Sequence, residues 1–159
     1  MTSSSGRSDP FREEAAAPSN AVYPDHPRLA VGAVVFNAGR VLLVRRGRPP
    51  GKGQWAIPGG SVQLGETLQQ AAEREVLEET GVVIRARKPV YTFDLVERDP
   101  SGRVRFHYVI VDLAADYIQG NPRSGDDAID ARWVAAEDLP DLGIHAATRD
   151  LLRLVFQFG

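Results

Sequence analysis

Residues 60–82 constrain the fold of this chain most strongly, because several local helix signals agree within one short stretch. Thr67 is suited to cap a helix N-terminus, and Gln70, three positions later, completes a capping box. Residues 68–79 contain neither Gly nor Pro and consist mostly of good helix formers. Gly81 stands where a left-handed residue would end the helix. The sequence therefore predicts a helix over residues 68–79.

Three acidic side chains share one face at the end of this predicted helix. Glu75, Glu78 and Glu79 stand at positions i, i+3 and i+4. Like charges at this spacing repel one another, and acids near a helix C-terminus oppose the macrodipole. A solvated acidic surface would explain charge alone, but a hard cation such as Mg²⁺, which prefers oxygen ligands, would relieve the repulsion. The pattern predicts a divalent-cation site that weakens as the pH falls.

The spacing of the whole stretch resembles the box of the Nudix hydrolases. The matching positions are Gly60, Glu66, Arg74, Glu75, Val76, Glu78, Glu79, Gly81 and Val82. Because all the fixed positions of the box agree, the resemblance is specific, whereas shorter patterns often match by chance. It implies an α/β fold, an α/β/α sandwich with a mixed sheet between helices. It covers roughly residues 28–157, strictly in the box and loosely elsewhere.

The resemblance also implies roles for the conserved polar positions of the box. The carboxylates of Glu75, Glu78 and Glu79 would hold Mg²⁺ or Mn²⁺, and the backbone carbonyl of Gly60 would add a further oxygen. Glu66 and Arg74 would form an ion pair that orients the loop before the helix. An alternative places Arg74 on a substrate phosphate, since arginine is the usual bidentate partner of phosphate.

The reaction that the resemblance implies is hydrolysis of a nucleoside diphosphate linked to another group. The box does not fix the general base across the family, so the catalytic candidates are Glu79, Glu75 and Glu78, with Asp126 and Asp127 from a later loop as possible bases. An Asp pair in a Gly-rich loop also has a plain turn-forming explanation. Four basic residues before the box could meet the diphosphate, although at least two of them are expected to be surface charges: Arg45, Arg46, Arg48 and Lys52.

The wider sequence favours one substrate among several. The segments RRGRPPGKGQWAIPGG, HYVIVDL and GDDAIDARWVAAEDLP resemble the compact bacterial Nudix proteins that split ADP-ribose into AMP and ribose 5-phosphate. Those proteins often carry a proline closer behind their box, whereas Pro100 follows Val82 by 18 residues. The first alternative is a nucleoside triphosphate pyrophosphohydrolase, including one that removes oxidised nucleotides. A second is a non-catalytic nucleotide sensor.

Composition limits the remaining possibilities. The chain of 159 residues is expected to form one Nudix domain over residues 26–159, after a disordered or loosely docked tail over residues 1–25. A net charge of −2 gives no electrostatic reason to expect nucleic-acid or membrane binding. The absence of cysteine and of a long apolar run predicts a soluble, cytoplasmic protein. Relatives often form homodimers, so a homodimer is possible.

Alternating and apolar segments predict the other elements. Asn37, Ala38 and Gly39 predict a hairpin turn, and Gly32, inside the first strand, predicts a close backbone approach or a bulge. Strands are predicted over residues 28–36, 41–46, 55–57, 82–87, 90–98, 103–113 and 130–134, with a turn at 58–60 and a turn or short helix from 136 to 139. A final helix over residues 145–158 is predicted to bury Ala147, Leu151, Leu154, Val155 and Phe158.

Overall fold

A seven-stranded mixed sheet organises residues 22–159, the part of the chain that the computed structural model describes. The strands are β1 (Arg28–Asn37), β2 (Arg40–Arg46), β3 (Trp55–Ala56), β4 (Gly59–Ser61), β5 (Val83–Arg98), β6 (Val104–Gln119) and β7 (Ala128–Val134). The helices are α1 (Leu68–Thr80), a 3₁₀ helix (Ala136–Asp141) and α2 (Ala146–Phe156).

The first strand lies at the centre of the sheet. The strand order is β3-β2-β1-β6-β5, with β4 paired to β1 and β7 paired to β2. The pairing of β1 with β6 is parallel, whereas β1–β2, β1–β4, β2–β3, β2–β7 and β5–β6 are antiparallel. The predicted mixed sheet is therefore confirmed.

One helix packs on each face of the sheet. Val76 of α1 is fully buried in a cluster with Val31, Val35 and Leu113. On the opposite face, Leu151 of α2 is buried in a second cluster that contains Val34, Leu43 and Trp55. Alternate residues of β1 thus supply both cores, as the two-residue period of a strand requires. This arrangement is the α/β/α sandwich that the sequence predicts.

Local signals fixed the ends of α1 and the first hairpin correctly. The Thr67 hydroxyl accepts a hydrogen bond from the Gln70 amide, and the Gln70 side chain accepts one from the Thr67 amide. Gly81 ends the helix in the left-handed conformation, with a φ of 73°. Ala38 and Gly39, which connect β1 and β2, have φ angles of 49° and 74°, as a tight hairpin turn requires.

Several element boundaries were predicted wrongly where long-range pairing decides them. Residues 59–61 form β4 rather than a turn, because Gly59 and Gly60 pair with β1. The two strands predicted over residues 82–98 are one strand, β5, whose register shifts around Pro89. Strand β6 continues to Gln119, since β5 pairs with it along its length. Strand β7 begins at Ala128, and α2 ends at Phe156.

The predicted apolar stripe of α2 was also wrong in part. Leu154 is 64% exposed and Val155 is 39% exposed. The buried side chains of this helix are Thr148, Leu151 and Leu152. The helix is therefore rotated about its axis relative to the prediction, and Thr148 faces inward although it is polar.

The predicted tail lies mostly outside the described residues, which include only residues 22–25 of it. Within that part, the Tyr23 amide donates a hydrogen bond to the Arg105 carbonyl at 2.8 Å, and the Tyr23 hydroxyl contacts Asp99 at 3.0 Å. Across residues 22–159, none of the helices combines the length and hydropathy needed to span a bilayer.

Candidate active site

Three box residues, Gly60, Glu75 and Glu79, lie in the wall of a cavity of about 360 Å³ that is also lined by residues of β1, β5, β6 and α2. Strand β4 brings Gly59 and Gly60 to this cavity, and the loop after β6 brings Asp126 and Asp127. Glu75 and Glu79 reach it from the C-terminal half of α1. Segments that are distant in sequence thus converge on one site.

Arg74 forms ion pairs with three acidic residues of the box, Glu66, Glu75 and Glu78. Its Nε donates to Glu66 Oε1 at 2.5 Å and its Nη2 donates to Glu66 Oε2 at 2.9 Å, which is a bidentate pair. Its Nη1 donates to Glu75 at 2.7 Å and to Glu78 at 3.2 Å, while Nη2 also donates to the Ser61 carbonyl at 3.1 Å. All three guanidinium nitrogens are occupied. This geometry favours the ion-pair interpretation of Arg74 over direct phosphate binding.

Glu75, Glu78 and Asp126 form a compact group of carboxylates. One oxygen from each lies within 4.8 Å of the others. Gly125 permits this approach, because a Cβ there would lie 2.5 Å from the carbonyl oxygen of Glu78. Asp126, with a φ of 48°, then reaches the end of α1. The predicted loop candidate Asp126 therefore lies with the box acids.

The carboxylate of Glu75 rests directly on the backbone of Gly60. A Cβ at position 60 would lie between 2.5 and 2.6 Å from the carboxylate atoms of Glu75. Burial raises the pKa of Glu75, and the hydrogen bond from Arg74 opposes that rise. Only glycine at position 60 leaves room for this carboxylate, whatever the role of the Gly60 carbonyl.

Glu79 is the most deeply buried acid of the box, at 8% exposure. Its Oε2 accepts a hydrogen bond from the Gly59 amide at 3.0 Å. Burial, together with the smaller effects of the neighbouring charges of Glu75 and Asp126, raises its pKa to about 8 in spite of the Gly59 hydrogen bond. Glu79 is thus held against β4, apart from the compact group.

The donor set fits a hard divalent cation. Carboxylate oxygens are the ligands that Mg²⁺ and Mn²⁺ prefer, and Glu75, Glu78 and Asp126 offer three of them within 4.8 Å. Burial, and to a lesser degree the repulsion of neighbouring acids, raises the pKa values of Glu75 and Glu79. A bound cation would offset both effects by favouring the ionised carboxylates.

The predicted basic residues separate into two groups. Arg46 and Arg48 line the cavity, but the residues around it do not include Arg45 or Lys52. Arg46 Nε donates to the Pro50 carbonyl at 2.7 Å, and Arg48 lies 3.0 Å from the Asp127 carboxylate. The Gly47 amide donates a hydrogen bond to the Asp127 carbonyl at 2.8 Å, which joins the loop after β2 to the loop before β7.

Two cavity residues received no role in the sequence analysis. His145 precedes α2, and burial together with the charge of Arg46 lowers its pKa. Asp112 of β6 is 2% exposed, and burial raises its pKa to about 7. In the sequence, Asp112 is one polar residue within an alternating strand, and no local pattern marks it. The unusual Gly32 was the available signal, because β1 places it beside Asp112.

Substitution of Glu66 by Gln tests whether Arg74 positions the acids of the box. We expect turnover to fall about tenfold, because Arg74 loses its charged bidentate partner and the acids it orients shift. Metal affinity should change less, since Glu66 is not in the carboxylate group. Steady-state rates measured across a Mg²⁺ titration separate these two effects. The exposed Glu97–Arg105 pair supplies the control: Glu97→Gln should leave both quantities unchanged, and an equally active Glu66→Gln variant contradicts the assigned role.

Substitution of Asp112 by Asn should stabilise the metal-free protein above neutral pH. The pKa of Asp112 rises from 3.8 to about 7 on folding, so its ionisation weakens the native state as the pH rises through that interval. The variant should gain up to about 4 kcal/mol of unfolding free energy at pH 8 and little at pH 4, since one pKa unit corresponds to about 1.4 kcal/mol. Urea unfolding at the two pH values measures this difference. The exposed Asp138→Asn control should show none, and a less stable Asp112→Asn variant at pH 8 would contradict the argument.

This chain is similar to known proteins both in sequence and in fold. The NUDIX domain family matches residues 26–155. The chain is 35% identical over 117 residues to an ADP-ribose pyrophosphatase of Methanocaldococcus jannaschii, covering 74% of this chain and 67% of that protein. It is 33% identical over 135 residues to the nucleoside triphosphatase NudI of Escherichia coli K12, covering 80% and 95%. The crystal structure of a MutT NUDIX hydrolase from Burkholderia pseudomallei has a TM-score of 0.70 at 33% identity, covering 82% and 99%. The chain therefore belongs to the Nudix hydrolases and is a pyrophosphohydrolase of that family.

Proposed function

We propose that this protein hydrolyses ADP-ribose to AMP and ribose 5-phosphate with the help of Mg²⁺ or Mn²⁺. The observation that carries the proposal is the composition of one cavity. Its wall combines the box carboxylates of Glu75 and Glu79 with Arg46 and Arg48, while Phe93 and Ile110 supply apolar surface. A nucleoside diphosphate linked to a sugar needs these three surfaces, for cation, diphosphate and base. The resemblance to an ADP-ribose pyrophosphatase supports this substrate.

The proposed cation ligands are Glu75, Glu78 and Asp126, with Glu79 and the Gly60 carbonyl as further oxygens beside them. When bound, the cation would neutralise charge on the diphosphate and lower the pKa of the attacking water. Arg74 keeps Glu75 and Glu78 in position through its hydrogen bonds at 2.7 and 3.2 Å.

Other side chains of the cavity wall bind the diphosphate and accept the proton of the attacking water. Arg46 and Arg48 attract the diphosphate and orient it, as paired basic residues do for phosphates. Glu79 takes the proton of the attacking water, because a carboxylate whose burial raises its pKa to about 8 is a suitable base near neutral pH. Asp127 is less suited to that task, since its carboxylate lies 3.0 Å from Arg48.

A nucleoside triphosphate is the second candidate substrate. The similarity to the nucleoside triphosphatase NudI covers 95% of that protein, so the relatives do not all share one named activity. A non-catalytic sensor receives less support, because every acid of the box is present and Glu75, Glu78 and Asp126 lie together. The homodimer, the domain boundary at residue 26 and the cytoplasmic location stay predictions.

Product analysis across a nucleotide panel tests the proposal. The full chain is incubated with Mg²⁺ and either ADP-ribose or each (d)NTP, and the products are separated by anion-exchange chromatography. We expect AMP and ribose 5-phosphate from ADP-ribose at a higher kcat/KM than pyrophosphate from any triphosphate. Pyrophosphate release from triphosphates without AMP from ADP-ribose rejects the proposal in favour of the alternative. The Glu79→Gln variant serves as the inactive control for contaminating phosphatases.

A further inference from the structure

The Asp112 carboxylate fits beside β1 because residue 32 has no side chain. Strands β1 and β6 run parallel, and Gly32 pairs with Asp112. A Cβ at position 32 would lie 2.3 Å from Asp112 Oδ1 and 2.8 Å from the side chain of Ile57. The glycine therefore makes room for the carboxylate, and the group that approaches it is a side chain rather than the backbone that the sequence predicted. The space left by Gly32 holds an acid in the wall of the active-site cavity.

The Asp112 carboxylate has no compensating partner in the described part of the chain. It is 2% exposed, and desolvation alone accounts for its raised pKa, with neither a hydrogen bond nor a cation opposing it. The other buried acids of the cavity differ in this respect, because Glu79 accepts from the Gly59 amide and Glu75 accepts from Arg74. A buried polar group without a partner destabilises a fold. Such a group is explained when a ligand supplies the partner.

The chemistry around Asp112 limits what that ligand group can be. Asp112 is not in the carboxylate group that could hold a cation, so its charge would repel a phosphate, and the diphosphate is expected near that group and near Arg46 and Arg48. The cavity wall includes the apolar and aromatic side chains of Ile57, Phe93 and Ile110 besides polar ones, and β5 pairs Phe93 directly with Ile110, two residues from Asp112. A flat, uncharged group that carries an N–H donor at its edge suits this combination. A nucleobase has these properties, whereas a sugar lacks the flat apolar faces.

We propose that Asp112 determines base specificity by accepting a hydrogen bond from the amino group of the nucleobase. This assignment rests on the proposed function for the identity of the substrate, adenine being the base of ADP-ribose. Gly32 acts as the positioning residue that leaves space for the acceptor. The remaining cavity wall then contacts the faces of the base.

Ligand binding without turnover gives the first test. Titration calorimetry in the absence of metal compares AMP with its analogue that lacks the 6-amino group, on wild type, Asp112→Leu and Asp112→Asn. Wild type should prefer AMP by at least about tenfold, because the analogue leaves a buried acceptor unpaired. Asp112→Leu should lose this preference, and Asp112→Asn should retain part of it through its carbonyl oxygen. The exposed Asp116→Asn control, on the same strand, should bind as wild type does.

Kinetics and stability distinguish this role from a structural one. For ADP-ribose, Asp112→Leu should lower kcat/KM by at least about tenfold, mainly through KM, while its unfolding midpoint at pH 8 equals or exceeds that of wild type. A structural role predicts a lower midpoint instead, and that result overturns the proposal. So does an Asp112→Leu variant that keeps the preference for AMP, or one whose discrimination is lost only between ribose and 2′-deoxyribose substrates.

If the proposed function is wrong, the experiments give results that differ from those expected if base recognition by Asp112 is wrong. If ADP-ribose is not hydrolysed but triphosphates are, the same comparison is made with ATP and its analogue without the 6-amino group. Loss of the preference in Asp112→Leu then supports base recognition although the sugar-diphosphate substrate is rejected. An unchanged preference rejects base recognition by Asp112 as well.

Discussion

The Glu79→Gln variant should lose about 10²–10⁴-fold in kcat while its fold stays intact. The amide cannot accept a proton from the attacking water, and it is a weaker cation ligand than a carboxylate. Its carbonyl oxygen can still accept the hydrogen bond that Glu79 receives from the Gly59 amide at 3.0 Å. Removal of an acid whose pKa burial raises to about 8 also removes the free-energy cost of burying its charge in the metal-free protein. Single-turnover kinetics with saturating Mg²⁺ measure the chemical step directly.

A matched control comes from an acid of the same type that does not line the cavity. Glu137 on the 3₁₀ helix is exposed, so Glu137→Gln should retain wild-type kinetics. Circular dichroism of both variants should show unchanged secondary structure. A Glu79→Gln enzyme with nearly normal kcat would falsify both the base and the ligand assignments of Glu79.

The Gly59→Ala variant should show the largest loss of stability, about 3 kcal/mol of unfolding free energy. A Cβ at position 59 would lie 2.0 Å from the Val31 carbonyl oxygen and 2.7 Å from the Gly32 Cα. Both are backbone atoms, which cannot rotate away as a side chain can. Strand β4 would have to separate from β1, and the Gly59 amide would move away from Glu79. Activity should fall together with stability.

Urea unfolding followed by tryptophan fluorescence measures this effect. Gly143→Ala is the appropriate control, because a Cβ at position 143 would have no neighbour within 4 Å. That variant should have the unfolding midpoint of wild type. If Gly59→Ala unfolded at the same urea concentration as Gly143→Ala, the close packing of β4 on β1 would be wrong.

Local sequence signals predicted the parts of the structure that depend on neighbouring residues. Helix α1, its capping box and its Gly81 terminus follow from hydrogen bonds and backbone conformations within a few positions. The shared face of Glu75 and Glu79 follows from helix geometry alone. These local features, with the box spacing, were enough to predict the family and the acidic side of the site.

Features that depend on strand pairing were harder to predict. Asp112 lies beside Gly32 only because β1 and β6 are parallel neighbours, although the two residues are distant in sequence. Asp126 joins Glu78 because the loop after β6 packs against the end of α1. The orientation of α2 depends on the shape of the sheet face beneath it, so the exposure of Leu154 could not be derived from helical periodicity. Burial and pairing, rather than residue type, gave these side chains their environments.

The glycine pair of β4 also restricts how this scaffold can acquire new substrates. Position 59 is closed by the Val31 backbone, and a side chain at position 60 would have to displace the Glu75 carboxylate, so neither position can change without disturbing the fold or the acidic site. Residues 47–50 and 126–128 are better placed for such change, because they lie in or beside loops that border the cavity and are joined by the Gly47–Asp127 hydrogen bond. A mutational library confined to those two loops should therefore yield altered substrate preference far more often than one directed at β4.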